Sequence, residues 1–159
     1  DEKVSGWMNQ LRSDGRYRVD AETLRKIQSL FSAEFCGDGE TKEEIRRVYE
    51  AEHYLCDPHT AVAACAARKY RETTGSASRM VIVSTASPYK FAPDVLNAVT
   101  GGTEEESDPF LAVRRLSALT GTEVPVSIAA LEKKPLRFSQ TCECGGMGAA
   151  VLQAAARKG

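Results

Sequence analysis

The stretch Met80-Val-Ile-Val-Ser-Thr-Ala-Ser-Pro-Tyr-Lys90 joins a short apolar run to a helix start. Residues 80–84 are mostly β-branched and apolar on both faces, which is typical of a central parallel strand. Ser87 and Pro88 then favour the N-cap and the first position of a helix. Because a lone parallel strand cannot satisfy its own hydrogen-bond ladder, we expect partner strands held elsewhere. The stretch predicts an α/β fold that is helix-rich with few parallel strands.

Helix signals surround this strand. Asp57 and Pro58 open the longest predicted helix, and its run of small apolar residues, 61–67, predicts that this helix is buried. Gly75 is expected to end it. Two helices are predicted before residue 32: one carries Val4–Leu11 and ends at Gly15, and the next follows Asp20 and extends through Phe31. Further helices are predicted after a Thr41–Glu44 capping box, from Pro93 to Val99, from Asp108 to Gly121 and from Met147 to Lys158. A second short strand is predicted at 136–138.

Length and composition limit the class of protein. The 159 residues correspond to one domain, with 42% apolar and 27% charged residues. Lysine and arginine number 21 against 22 acidic residues, which argues against a basic surface for nucleic acid. No apolar run approaches the ~20 residues that a membrane-spanning helix needs. Five cysteines at irregular spacing favour reduced thiols and a cytoplasmic protein.

A cluster of hydroxyls follows the predicted strand. Ser84, Thr85 and Ser87 come directly after it, and Lys90 lies three residues further on. Ligands of open α/β folds bind outside the carboxyl ends of strands, and helix N-termini attract anions. These residues would suit a phosphorylated ligand. The alternative is that Ser87 caps a helix and Lys90 is solvated.

Two other motifs contain groups with possible chemical roles. Asp57-Pro-His-Thr60 opens the buried helix, where His59 could orient a ligand, or the motif could be a capping aspartate beside a half-buried histidine. Cys142-Glu-Cys144 pairs two thiols that could bind a metal or act in redox chemistry. No second Cys or His pair lies at zinc-finger spacing, so incidental thiols are favoured.

Two of these motifs together resemble a known family. Tyr54–Val62 and Val83–Phe91 are similar to the C-terminal part of bacterial threonine synthases, and the resemblance extends from the start of the chain to about Arg137. It implies a C-terminal fragment of a fold-type II pyridoxal-phosphate enzyme, with three α/β/α layers in the parent, like the tryptophan synthase β subunit. It also implies a carbon–oxygen lyase that converts O-phospho-L-homoserine and water to L-threonine and phosphate, in threonine biosynthesis.

The resemblance also implies roles for individual residues. Thr85, or else Ser84, would contact the pyridine nitrogen of pyridoxal 5'-phosphate, and Lys90 with Ser87 would bind the substrate phosphate. Ser87 stands where many members have histidine. Asp57, His59 and Thr60 would line or brace the cofactor cleft.

The remaining expectations concern the extent of the chain and its partners. The family's cofactor lysine lies in an N-terminal part, and this chain has no lysine in that context and starts at Asp1. We therefore expect residues 1–159 to be a single C-terminal fragment, with no catalytic lysine, inactive without its N-terminal part and able to dimerise through an exposed sheet edge. The alternative is a non-catalytic module that binds phosphate esters or a partner.

Overall fold

The computed structural model describes residues 1–136 and 139–156. Contacts divide the chain into two units, Asp1–Val124 and the part from Pro125 onward. The first unit contains helices α1 to α6, and the second contains α7 and α8. Their bounds are α1 Glu2–Asp14, α2 Ala21–Gln28, α3 Asp38–Glu52, α4 Pro58–Thr74, α5 Ala92–Val99, α6 Pro109–Thr120, α7 Val126–Ala129 and α8 Met147–Ala156, with 3₁₀ helices at Pro88–Phe91, Ala130–Lys133 and Cys144–Gly146.

Local capping chemistry sets most helix ends where the sequence predicts them. The carboxylate of Asp57 accepts hydrogen bonds from the first turn of α4, and Asp108 does the same for α6. Both helices end at a glycine in the left-handed region, Gly75 at φ 67° and Gly121 at φ 68°. A glycine pays no Cβ penalty in that conformation, so these two positions stop the helices sharply.

Two predicted helix boundaries are wrong. Helix α3 begins at Asp38, and the Glu40 carboxylate accepts the Gly37 amide at 3.1 Å, so there is no Thr41–Glu44 capping box. Glu44 is instead buried inside the unit. Helix α2 ends at Gln28, short of Phe31. There the Ser29 hydroxyl donates to the Lys26 carbonyl, a local bond that competes with continued helix.

The core of the first unit lies between α3, α4, α5 and α6. Its largest fully buried apolar side chains are Ile45, Leu96, Leu116 and Val95. Ala61 and Cys65 of α4 are also buried, whereas most of the small residues between them are half-buried. Small residues on one face of α4 therefore allow close contact with α3, and the expectation of a helix buried all round is met only on that face.

The segment Met80–Ser84 is extended but pairs with no strand in the described part of the chain. The prediction of a parallel strand in an α/β fold is therefore wrong for the described residues. Residues 1–136 and 139–156 contain helices and no β-strand. A strand needs a neighbouring backbone to complete its ladder, and none pairs with Met80–Ser84 within the described residues. The predicted strand at 136–138 falls partly outside the described residues.

Side chains of this segment alternate in exposure. Val81 is 87% exposed and Val83 72%, whereas Ile82, at 41%, lines a cleft with Met80 and Ser84. One face of the segment thus lines a cleft and the other is bare. The described helices include none long and apolar enough to cross a membrane.

Candidate functional site

The two motifs of the sequence meet in space. Thr60 lies in the first turn of α4, and Ser84 ends the extended segment. Their hydroxyl oxygens are 3.0 Å apart, although 24 residues separate them along the chain. The N-terminus of α4 and the end of the extended segment therefore form one polar corner.

The direction of the hydrogen bonds at this corner follows from proton counting. The Thr60 hydroxyl has one proton and makes a short contact with the Asp57 carboxylate. An ionised carboxylate only accepts, so Thr60 donates to Asp57 and Ser84 donates to Thr60. Ser84 Oγ then keeps its lone pairs for a donor on the open side of the corner.

Asp57 braces this corner. It is completely buried, and its Oδ1 accepts from the His59 amide at 2.9 Å and the Thr60 amide at 3.3 Å. The helix N-terminus also favours its negative charge. Asp57 is thus a structural cap that fixes Thr60, which agrees with the capping interpretation of the motif. The histidine expected to be half-buried, His59, is instead exposed.

A second contact joins the same two motifs. The His59 ring packs edge-to-face on Phe91, with ring centroids 5.3 Å apart and an interplanar angle of 78°. Lys90 Nζ lies 5.9 Å from the centroid of the same ring, and its side chain is exposed. His59 and Lys90 therefore both lie next to the Phe91 ring, where the two motifs meet.

Thr85 and Ser87 differ in their availability. The Thr85 side chain is exposed, and its hydroxyl makes no hydrogen bond to the described residues. Ser87 Oγ accepts the Tyr89 amide at 3.3 Å and caps the 3₁₀ helix Pro88–Phe91. Tyr89 is buried, and its hydroxyl donates to the Thr122 carbonyl at 2.8 Å. Thr85 is therefore available to a ligand, whereas Ser87 already has a structural role.

A cleft of about 460 Å³ opens beside the Thr60–Ser84 corner. It is lined by Thr60 and Ser84, by apolar residues such as Met80, and by the arginines Arg47, Arg68 and Arg71. The cleft could not be predicted from the sequence, because its walls come from three separate elements, α3, α4 and the extended segment. The only local signal was the spacing of Arg68 and Arg71 on one face of α4.

A buried glutamate holds two of these arginines. Glu44 is 2% exposed, and its carboxylate accepts from Arg47 Nη2 at 2.5 Å and from Arg68 Nε at 3.2 Å. Burial alone would raise the pKa of Glu44, but the two guanidinium groups outweigh it, so its pKa lies below its ordinary value. Glu44 therefore stays ionised and orients the arginine wall of the cleft.

By sequence alone, the cysteines of the tail are possible metal ligands. Within residues 1–136 and 139–156 no group of three or more His, Cys, Asp or Glu side chains is arranged to hold a metal. Cys142 and Cys144 are exposed, whereas Cys56 is buried. Desolvation raises the pKa of the Cys56 thiol to about 11, so this sulfur stays protonated at neutral pH.

Comparisons with known proteins agree with the motifs. Residues 60–144, more than half of the chain, match the family model described as threonine synthase, C-terminal. The threonine synthase of Saccharomyces cerevisiae is 35% identical over 105 residues, which are 63% of this chain and 20% of the yeast protein. That of Eremothecium gossypii is 34% identical over 123 residues, 73% of this chain and 24% of that protein.

A solved structure is also similar. The crystal structure of PLP-bound threonine synthase from Brucella melitensis superposes with a TM-score of 0.57 at 31% identity. The match covers 71% of this chain and 24% of the Brucella chain. The present chain thus spans between a fifth and a quarter of the length of these relatives.

Proposed function

Since this chain belongs to the threonine synthase C-terminal family, we propose that it is the C-terminal part of a cytoplasmic threonine synthase. The complete enzyme would convert O-phospho-L-homoserine and water to L-threonine and phosphate, as a carbon–oxygen lyase of threonine biosynthesis. Pyridoxal 5'-phosphate, when bound, supplies an electron sink for carbanions at the substrate carbons. The chain would contribute groups that orient the cofactor and the substrate.

One observation supports this proposal most directly. The Thr60–Ser84 contact at 3.0 Å joins the two motifs by which the chain resembles the family. The His59–Phe91 ring contact joins them a second time. Two distant motifs that share a polar corner are what a binding site needs, since its groups must converge on one ligand.

The hydroxyls at this corner fit the pyridine end of the cofactor. Ser84 Oγ retains acceptor capacity, and the exposed Thr85 hydroxyl can donate or accept. Thr85 would hold the ring nitrogen by donating to it. Ser84 is the second candidate, and it could donate to that nitrogen only by giving up its hydrogen bond to Thr60. A neutral hydroxyl does not hold that nitrogen protonated as a carboxylate would, because it carries no negative charge.

Lys90 is the residue that we assign to the substrate phosphate. Its side chain is exposed, and its ammonium group lies 5.9 Å from the centroid of the Phe91 ring. An ammonium group binds phosphate as a point charge. Ser87 is the weaker candidate, because its oxygen already accepts the Tyr89 amide. Asp57, His59 and Thr60 would brace the cleft rather than react.

The bare face of Met80–Ser84 supports an N-terminal partner. Val81 and Val83 are more than two-thirds exposed on one face, while Met80 and Ile82 line a cleft on the other. An extended apolar segment of this kind requires a neighbouring strand and a second covering layer. We assign both the strand and the covering layer to the N-terminal part of the same enzyme, which would complete the three-layer α/β/α architecture of the fold-type II class. Dimerisation of the isolated chain through this edge remains a prediction.

The test is made in the complete enzyme that contains this chain. Thr85→Val keeps the side-chain volume but removes the hydroxyl. The loss of one hydrogen bond of ~1 kcal/mol should lower kcat/KM for O-phosphohomoserine about fivefold and shift the cofactor absorption spectrum. Thr103→Val removes an exposed loop hydroxyl and serves as the control. Equal kcat/KM and equal spectra in both variants would remove Thr85 from the site.

A separate measurement tests the family function itself. Phosphate release from O-phosphohomoserine is measured with the complete enzyme and with the chain alone. We expect turnover only in the complete enzyme. Tight binding of phosphate esters by the chain alone, with no turnover in either form, would instead support the non-catalytic phosphate-ester module.

A further inference from the structure

We propose that Cys36 and Cys65 form a redox pair, which a peroxide converts to a reversible intramolecular disulfide. Cys36 lies in the loop before α3, and Cys65 lies in α4. The pair is independent of the hydroxyl corner and of the reaction proposed above. It identifies a modification site between the loop before α3 and helix α4.

Contacts around Lys69 bring the two sulfurs together. Lys69 follows Cys65 by one helical turn, so both side chains lie on the same face of α4. Lys69 Nζ donates to the carbonyl of Phe35 at 2.8 Å, and Phe35 directly precedes Cys36. The same ammonium group pairs with Glu40 of α3 at 2.7 Å. The loop is therefore held against α4 at the level of Cys65.

The two thiols interact. A hydrogen bond between the Cys36 and Cys65 side chains is among the causes that raise the pKa of the Cys65 thiol. Thr41 Oγ1 lies 3.4 Å from Cys36 Sγ, and Arg68 Nη2 lies 3.6 Å from Cys65 Sγ. A hydroxyl of α3 and a guanidinium group of α4 thus contact the two sulfurs.

The two thiols differ in access, which assigns their roles. Cys36 is half-buried and accessible to a small oxidant, whereas Cys65 is 0% exposed. Burial, followed by the contact with Cys36, raises the pKa of the Cys65 thiol, so Cys65 is the poorer first nucleophile. Cys36 is therefore the residue that meets the oxidant, and Cys65 is the resolving residue.

The chemistry balances with hydrogen peroxide as the oxidant. The Cys36 thiolate attacks one peroxide oxygen, the O–O bond breaks, and the second oxygen leaves as water after protonation. The Cys65 thiolate, after giving its proton to water, attacks the resulting Cys36 sulfenic acid. The S–S bond forms, the S–O bond breaks, and the hydroxyl leaves as a second water. Two thiols are oxidised by two electrons, and a dithiol reductant reverses the step.

Mass spectrometry of the wild-type chain tests the proposal. The complete enzyme that contains this chain is treated with hydrogen peroxide, its remaining thiols are blocked, and it is digested with trypsin. We expect residues 27–42 to be linked to residues 48–68, with the loss of two hydrogen atoms and full reversal by dithiothreitol. Fragmentation at the Asp57–Pro58 bond separates Cys56 from Cys65 and identifies the linked sulfur.

Matched variants complete the test. Cys56→Ser removes the other buried thiol of peptide 48–68 and should leave the cross-link intact, whereas Cys65→Ser should abolish it. The wild-type result decides the question even if a variant does not fold. A link from Cys36 to Cys56, Cys142 or Cys144, a link between two chains, or conversion of Cys36 to sulfinic acid without any link would each overturn the proposal.

Discussion

Replacing Glu44 with glutamine tests whether a buried carboxylate organises the packing of α3 and α4. Glu44→Gln keeps the size of the side chain but removes the charge that Arg47 and Arg68 share. The carboxylate is 2% exposed, whereas the side chains of Arg47 and Arg68 are 51% and 38% exposed. Both arginines can therefore regain water, and Arg68 keeps its ion pair with Glu72 at 3.0 Å.

The expected magnitude follows from these exposures. Breaking a fully buried pair costs about 3–5 kcal/mol, and an exposed pair contributes at most about 1 kcal/mol. With one buried and two half-exposed partners, the free energy of unfolding should fall by about 2 kcal/mol. For a chain of this size that corresponds to a decrease in Tm of about 4–8 °C.

The assay is thermal unfolding followed by circular dichroism, with Glu50→Gln as the control. Glu50 pairs with Arg46 at 2.7 Å, but both side chains are more than half exposed, so the control should lower stability by less than about 0.5 kcal/mol. Equal Tm values for the two variants would refute the assigned role of Glu44.

The pH dependence gives a second check. The pKa of Glu44 is lower in the folded chain than in the unfolded chain, where a glutamate has a pKa of about 4.3. Its contribution is therefore complete above that unfolded value and is lost as the pH falls through the folded pKa. The difference in Tm between wild type and Glu44→Gln should shrink in that acid range. A difference that stays constant down to the pH of acid unfolding would contradict the charge-based explanation.

Two further predictions concern buried polar groups of the first unit. In a urea titration, Asp57→Ala should lower the free energy of unfolding by about 2–4 kcal/mol, because it removes a buried cap and leaves the Thr60 hydroxyl without its acceptor. Asp20→Ala removes an exposed cap and should lower the free energy of unfolding by about 1 kcal/mol in the same titration. Tyr89→Phe should cost about 1 kcal/mol through the lost bond to the Thr122 carbonyl, against no change for Tyr70→Phe, and equal urea midpoints would contradict it.

The local features of this fold can be predicted from the sequence alone. Asp57 with Pro58, and Asp108 with Pro109, open helices at the predicted residues, and Gly75 and Gly121 end them. Capping needs only groups within a few residues of the helix end, so a local pattern is enough to identify it. The resemblance to threonine synthases likewise depended on contiguous motifs, and the family match confirmed it.

The tertiary structure decided which distant groups meet. Glu44 fits a capping box by spacing, yet it is a buried partner of Arg68, 24 residues away. The contact of Cys36 with Cys65 likewise depends on how the loop before α3 lies against α4. The apolar run at Met80–Ser84 has the composition of a strand, but a ladder forms only when a second backbone lies alongside. Such contacts depend on how helices pack in three dimensions, and the spacing of residues along the chain does not specify that.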